Sequence, residues 1–354
     1  MNISKILTRW YKQHGRLLPW RDTSDPYPVW VSEIILQQTR VNQGIGYYQR
    51  FIERFPDIGA LARASIDEVL LSWQGLGYYT RARNLHKTAR IVYFDHAGRF
   101  PADYKELIKL PGIGDYTASA IASFCFGRPE AVVDGNVARV LARLEGMDTP
   151  INSSSGKKQL KHLANRLISH HDPATHNQAM IEFGALQCTP KQPECQTCPL
   201  QGHCLAWKKE LTGLLPVKAP KGNKKVRYFY YIDITSNGHL LLHKRNNRDI
   251  WNSLYQFPLI EASRQLEMSE ISATPEWKHM FAGLTPEITG ISSTYTHQLT
   301  HQKIYAQFIR VGIGPVNDQL AQNYRQFKAE EIENIAIPRL IEKYLEEEKY
   351  PKKA

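Results

Sequence analysis

Four of the five cysteines, Cys188, Cys195, Cys198 and Cys204, fall within 17 residues in the spacing C-x6-C-x2-C-x5-C. Four thiolates at that density can hold a tetrahedral zinc ion or an iron–sulfur cluster, and ligand type alone does not decide between them. Pro190, Pro193 and Pro199 interrupt the run, which predicts a compact loop rather than a helix. Disulfides are disfavoured: the chain opens Met1-Asn2-Ile3-Ser4-Lys5 without an apolar secretory leader, so a reducing cytoplasm is expected. Two acids offer a second chemistry. Glu33 is predicted on a helix opened by Pro28, with Val29, Trp30, Leu36 and Gln37 on its face. Apolar flanks desolvate a carboxyl and raise its pKa towards a general acid's working range, although a Glu beside a core stripe has the same surroundings. Asp134, in Val132-Val133-Asp134-Gly135-Asn136-Val137, suits a helix N-cap, where a carboxylate stays ionised. One protonated and one ionised acid is the pairing that glycosidic cleavage through an oxocarbenium-like state requires.

These groups need elements to hold them. Residues 1–205 read as nearly all helix, with an N-cap at Ser65 followed by Asp67 and Glu68, and short glycine turns such as Gln74-Gly75-Leu76-Gly77. Leu110-Pro111-Gly112-Ile113-Gly114 precedes a helix rich in Ala and Ser. Gly112 and Gly114 allow positive φ there and close approach, so the following backbone N–H groups can meet a DNA phosphate. The texture changes near residue 226: Val226–Ile234, Leu240–Leu242 and Ile304–Val311 read as strands, with Ser236-Asn237-Gly238 a turn. This gives a domain over 1–212, a Pro- and Lys-rich linker over 213–225 and a second domain over 226–354. Residues 1–225 carry the whole formal net charge of +11 and residues 226–354 carry none, so a polyanion is expected to meet the first domain. No run is long enough to span a membrane.

Together these motifs resemble the helix-hairpin-helix glycosylase superfamily with a C-terminal iron–sulfur loop. The cysteine spacing is similar to that superfamily's own and implies one [4Fe–4S] cluster per chain. Val31-Ser32-Glu33-Ile34-Ile35-Leu36-Gln37-Gln38-Thr39-Arg40-Val41 resembles the adenine-specific branch, which acts on adenine opposite 8-oxoguanine or guanine. The resemblance continues through Gln74–Tyr79, the hairpin and Val133–Val137 and covers essentially all of residues 1–210. It implies a mainly α N-terminal helix-hairpin-helix glycosylase domain with the Fe–S loop at 188–204, followed by an α+β Nudix-like C-terminal domain. The expected substrate is double-stranded DNA carrying an A:8-oxoguanine or A:G mispair, met by a monomer at the nucleoid of a bacterial-type cytoplasm.

By that resemblance Glu33 protonates the adenine and later helps activate water, Asp134 stabilises the sugar cation, and Tyr116 and Asn136 support the pair. The alternative is a bifunctional, endonuclease III-like glycosylase/lyase, which carries a nucleophilic lysine two residues after the last hairpin glycine. Tyr116 stands there instead, so no Schiff base can form at that position. Arg21, Leu18, Trp20 and Gln178 are expected around the flipped adenine, and Gln38, Thr39, Leu76 and Tyr78 where side chains wedge into the stack. Trp251-Asn252-Ser253-Leu254-Tyr255-Gln256-Phe257-Pro258 is similar to the second-strand motif of Nudix-like domains. The Arg-Glu and paired Glu of a working Nudix hydrolase are absent, which argues against nucleotide hydrolysis. Tyr295-Thr296-His297 is similar to the aromatic-Ser/Thr-His loop that senses 8-oxoguanine; read without the resemblance, it is an ordinary strand end.

Overall fold

A computed structural model describes residues 3–220, 222, 224–246 and 249–348. Contacts divide the chain into two units, Met1–Ala64 with Arg83–Lys221, and Ser65–Ala82 with Gly222–Ala354. Lys221 and Asn223 of the expected linker lie outside the described residues. The assignment of residues 65–82 differs from the sequence-based division at 213–225, and side-chain bonds account for it. Asp67 pairs with Lys244, and the Tyr78 hydroxyl lies 2.7 Å from Thr300 Oγ1.

The first unit is helical. Its core joins Leu7 and Trp10 of helix Ile3–His14 to Val137, Leu141 and Leu144 of helix Gly135–Leu144 and to Met180 and Phe183 of helix Pro173–Leu186. The helix carrying Glu33 spans Pro26–Leu36, so it opens two residues before the expected Pro28. Asp25 caps it, accepting from Tyr27 N at 2.9 Å, and Pro26 takes the first position, where its missing N–H costs nothing. This helix is buried on nearly every side, from Tyr27 through Ile35.

In the second unit, β1 (Lys225–Ser236), β2 (His239–Lys244), β3 (Tyr255–Gln256), β4 (Leu259–Ala262), β5 (Glu287–Ile291), β6 (Tyr295–Gln298), β7 (Gln302–Ile313) and β8 (Arg325–Phe327) form one sheet. Its main path runs β3-β2-β1-β7-β5, with β1 and β7 parallel and paired from Lys225↔Gln302 to Ser236↔Ile313. Asn237 and Gly238 turn β1 into β2 with φ of 49° and 77°, the positive pair that a tight hairpin needs. One face packs Phe229, Tyr231, Phe257 and Phe308 against Leu340, Ile341 and Tyr344 of helix Arg339–Glu347. The other packs Ile232, Ile234, Ile309 and Val311 against Ile271, Trp277 and Met280. Of the expected second-strand motif only Tyr255 and Gln256 are strand; Trp251 and Ser253 adopt left-handed φ of 58° and 67° and leave the ladder. Among the described residues no helix is long and apolar enough to cross a membrane.

Candidate active site

A cavity of about 1120 Å³ opens in the first unit, lined by Glu33, Tyr116, Asp134 and Asn136 together with Leu18, Trp20, Arg21 and Gln178. Gln38 and Thr39 also line it. The carboxyl of Glu33 reaches this cavity from a helix with almost no solvated face, and the residue keeps only 7% of its surface exposed. Burial pushes its pKa up to about 7, opposed by a hydrogen bond from the Tyr116 hydroxyl and reinforced by the charge of Asp134. Tyr116 is fixed at the second position of helix Asp115–Phe126. Burial and the neighbouring Glu33 raise its pKa well above the ordinary value, so its hydroxyl stays protonated and donates.

Asp134 is the N-cap of helix Gly135–Leu144, as expected: Oδ1 accepts from Val137 N at 2.7 Å and Oδ2 from Asn136 Nδ2 at 2.8 Å. Burial raises its pKa too, which the capping argument did not anticipate. Hydrogen bonds from Val137 and Asn136 and the charge of Arg139 pull the other way. The two carboxyls thus line one cavity and differ in donors. Glu33 has one phenol, whereas Asp134 has a set of N–H groups, each of which favours its ionised form. Asn136 is itself held, its Oδ1 accepting from Arg139 Nη2 at 3.0 Å while Arg139 Nε donates to Cys188 O at 2.7 Å.

Arg21 is held by a residue that the sequence reading missed. Glu182 is fully buried and accepts from Arg21 Nη2 at 2.7 Å, from Arg16 Nε at 2.6 Å, Nη2 at 2.9 Å and backbone N at 3.0 Å. Burial alone would raise its carboxyl, but the hydrogen bonds from Arg16 and Arg21 outweigh that and pull the pKa down to about 2. The available signal was an acid four residues after Gln178 inside the otherwise apolar run Ala179-Met180-Ile181-Glu182-Phe183. Gln178 itself accepts from the Tyr11 hydroxyl at 2.7 Å, so Tyr11 was missed as well.

In the hairpin, Gly112 has φ of 78° and a Cβ there would stand 2.7 Å from Asn84 Cβ. Gly114 departs from the expected positive φ. It is the N-cap at φ −92°, and a Cβ there would meet open space. It offers no side chain to cap the following helix, which leaves the first-turn N–H groups for an external acceptor.

Leu76, Tyr78 and the Tyr295-Thr296-His297 triplet belong to the second unit and do not line the cavity. Leu76 is buried, whereas Tyr78 is 47% exposed and adopts φ of 48°. The triplet is strand, not loop: it lies in β6, where Tyr295, Thr296 and His297 pair with Ala306, Tyr305 and Ile304 of β7. Alternation therefore puts Thr296 on one sheet face and its two neighbours on the other. Tyr295 hydrogen-bonds Glu347 at 2.5 Å, and the His297 ring sits 5.4 Å from that of Trp251.

The four clustered cysteines line one small cavity with Arg143, and none is in a disulfide. Among the described residues no three Cys, His, Asp or Glu side chains converge on a single metal ion. A cluster, which places several atoms between the sulfurs, fits the four thiolates. Buried Arg143 pins the loop, donating to Cys188 Sγ at 3.3 Å, Thr189 O at 2.7 Å, Pro190 O at 3.0 Å and Leu215 O at 2.9 Å.

Residues 31–170 match the HhH-GPD superfamily base excision DNA repair proteins, residues 188–204 the iron-sulfur binding domain of endonuclease III, and residues 229–347 the NUDIX domain. The chain is 38% identical to the adenine DNA glycosylase of Buchnera aphidicola subsp. Baizongia pistaciae over 81% of its length and 84% of that protein's. It is 32% identical to the adenine DNA glycosylase of Buchnera aphidicola subsp. Schizaphis graminum, over 97% of its own length and 98% of the other's. A thermostable thymine-DNA glycosylase of known structure superposes with a TM-score of 0.54 at 29% identity, covering 58% of this chain and 95% of that one.

Proposed function

The chain belongs to the adenine DNA glycosylase family, DNA base-excision-repair enzymes of the helix-hairpin-helix superfamily with an iron–sulfur loop, and from that premise we propose that it hydrolyses the N-glycosidic bond of adenine mispaired with 8-oxoguanine or guanine, without lyase activity. The observation that carries this reading is the buried Glu33, with a pKa of about 7, sharing one cavity with the N-capping Asp134.

The chemistry follows from that pair. An adenine flipped into the cavity is enclosed by Leu18, Trp20, Arg21 and Gln178. Glu33 gives its proton to a ring nitrogen, so the base leaves neutral as the C1′–N bond breaks. The positive charge developing on the sugar faces the Asp134 carboxylate, which Asn136 and the helix N-terminus hold in place. Water then attacks C1′ and returns a proton to the Glu33 carboxylate, closing the balance as adenine plus an abasic sugar. Tyr116 supplies a phenol where a lyase needs an amine, so the strand stays intact. Gln38, Thr39, Leu76 and Tyr78 act on the stack, and the N–H groups beyond Gly112 and Gly114 take a phosphate. The neutral second unit contributes discrimination rather than phosphate affinity, with Thr296 as its lesion reader and with Tyr295 and His297 on the opposite face of β6, held against Glu347 and Trp251.

Cys188, Cys195, Cys198 and Cys204 hold the cluster, as one [4Fe–4S] per monomer. When bound it can accept or release an electron, which the hydrolysis does not use. The test is excision from duplexes holding A:8-oxoguanine, A:G or A:T, scored before and after alkali. Breaks only after alkali, on the two mispairs and not on A:T, are expected. Breaks before alkali would instead support the lyase.

A further inference from the structure

The cavity of the first unit owes part of its polarity to a residue outside its wall. Gln178 lines the cavity, whereas Tyr11 does not. The two ends of a side-chain amide are alike in shape and opposite in hydrogen-bonding sense, and its last torsion is roughly two-fold. Adenine places a ring acceptor beside its amino donor, so an amide can bond both at once in only one of its two orientations. An amide free to turn would have to be ordered each time a base enters.

Gln178 is not free to turn. The Tyr11 hydroxyl donates to its Oε1 at 2.7 Å, across 167 positions of the chain. Among the described residues that is the amide's one hydrogen bond and the hydroxyl's one acceptor. Burial raises the pKa of the phenol, so it keeps its proton and acts as the donor. Turning the amide over would set Nε2 against the hydroxyl and leave the O–H of a half-buried tyrosine without an acceptor, which is costly. With Oε1 bound, Nε2 keeps both of its N–H groups and Oε1 keeps one lone pair, the donor and acceptor that an adenine edge needs. The phenol is itself held in the last turn of helix Ile3–His14. That helix is fixed to helix Pro173–Leu186 on both sides of Gln178. Ser4 Oγ lies 2.8 Å from His176 Nδ1, and Trp10 meets Phe183 edge-on with ring centres 5.0 Å apart. Gly15 packs on the Tyr11 ring, since a Cβ there would stand 2.7 Å from Tyr11 Cε2. The Arg21 guanidinium lies 5.6 Å from the centre of the same ring.

We propose that Tyr11 is a positioning residue for adenine recognition: its hydroxyl fixes the orientation of the Gln178 amide before the base arrives. The inference rests on the adenine reading of this cavity given above. Tyr11 itself makes no bond to the substrate and acts through Gln178.

The test is a double-mutant cycle on the full-length protein with its cluster, comparing wild type, Tyr11→Phe, Gln178→Ala and the pair. Phe keeps the ring, its packing on Gly15 and its face towards Arg21, and removes the hydroxyl alone. Single-turnover adenine release and affinity are measured on one A:8-oxoguanine duplex, with melting curves as the check on folding. Tyr11→Phe is expected to slow release roughly three- to tenfold when Gln178 is present, the cost of ordering one free side chain, and by less than about twofold beside Gln178→Ala. Duplex affinity should hold within about twofold, because phosphate contacts dominate it. A hydroxyl with only a structural role would slow both backgrounds equally. Equal losses in the two backgrounds, or no loss with Gln178 present, overturn the inference, while adenine release by wild type leaves the adenine reading standing. A wild type that releases no adenine overturns both.

Discussion

Replacing Glu182 with Gln tests whether the proposed base-binding wall depends on a buried charge. The carboxylate is fully buried, Arg21 is 12% exposed at its side chain, and four hydrogen bonds of 2.6–3.0 Å join the acid to Arg16 and Arg21. The fall of its pKa from 4.5 to about 2 corresponds to about 3 kcal/mol of folding stability at neutral pH. Removing one partner of a buried ion pair costs about 3–5 kcal/mol, so the two routes agree. In a unit of this size, about 3 kcal/mol lowers the melting temperature by roughly 6–12 °C. The sign with pH follows from the lowered value. The contribution is complete above the unfolded carboxyl pKa and disappears as pH falls from about 4.5 through about 2. Melting curves of wild type and Glu182→Gln are therefore expected to differ most at pH 7 and to converge below about pH 2. Adenine excision should fall as well, because Arg21 loses its anchor. A melting temperature within 1 °C of wild type at pH 7, or a gap that persists unchanged at low pH, would refute the reasoning.

Three further outcomes are expected. Excision should fall as pH rises through about 7, because a general acid must carry its proton and burial sets that value for Glu33; a rate flat from pH 6 to 9 in single turnover would contradict it. Gly112→Ala should destabilise the protein by about 1–3 kcal/mol and weaken duplex binding, since its φ of 78° and the Asn84 contact both oppose a Cβ, as read by melting and by fluorescence anisotropy. Purified protein should be brown, absorb near roughly 400 nm and hold about four irons, and Cys198→Ser should lower soluble yield; one zinc with no iron or sulfide would overturn the cluster.

Much of the helical structure was legible because its signals are local. A capping side chain needs only its own helix: Ser65 and Glu68 form the reciprocal cap and Asp134 caps Val137, where the sequence placed both helix starts. Desolvation of Glu33 was readable from its apolar neighbours, and the cysteine spacing from chemistry. Glu182 escaped because its value depends on Arg16 and Arg21, more than 160 residues away in the chain, which no window along the sequence brings together. The membership of residues 65–82 was hidden for the same reason, since Lys244 and Thr300 define it. The triplet at 295–297 was expected as a loop only through the family resemblance, whereas its residues alone read as a strand end; pairing with β7 makes it strand and turns Thr296 away from Tyr295 and His297.

The central claim is that Glu33 is the proton donor for base release, and Glu33→Gln tests it most directly. The substitution keeps the shape and the contact with Tyr116 but removes the transferable proton. The measurement is single-turnover adenine release from a duplex carrying A:8-oxoguanine, with affinity for the same duplex measured in parallel. The account expects a loss of about 10²–10⁴-fold or more in release, with binding held within a few-fold of wild type. Release within a few-fold of wild type would contradict it.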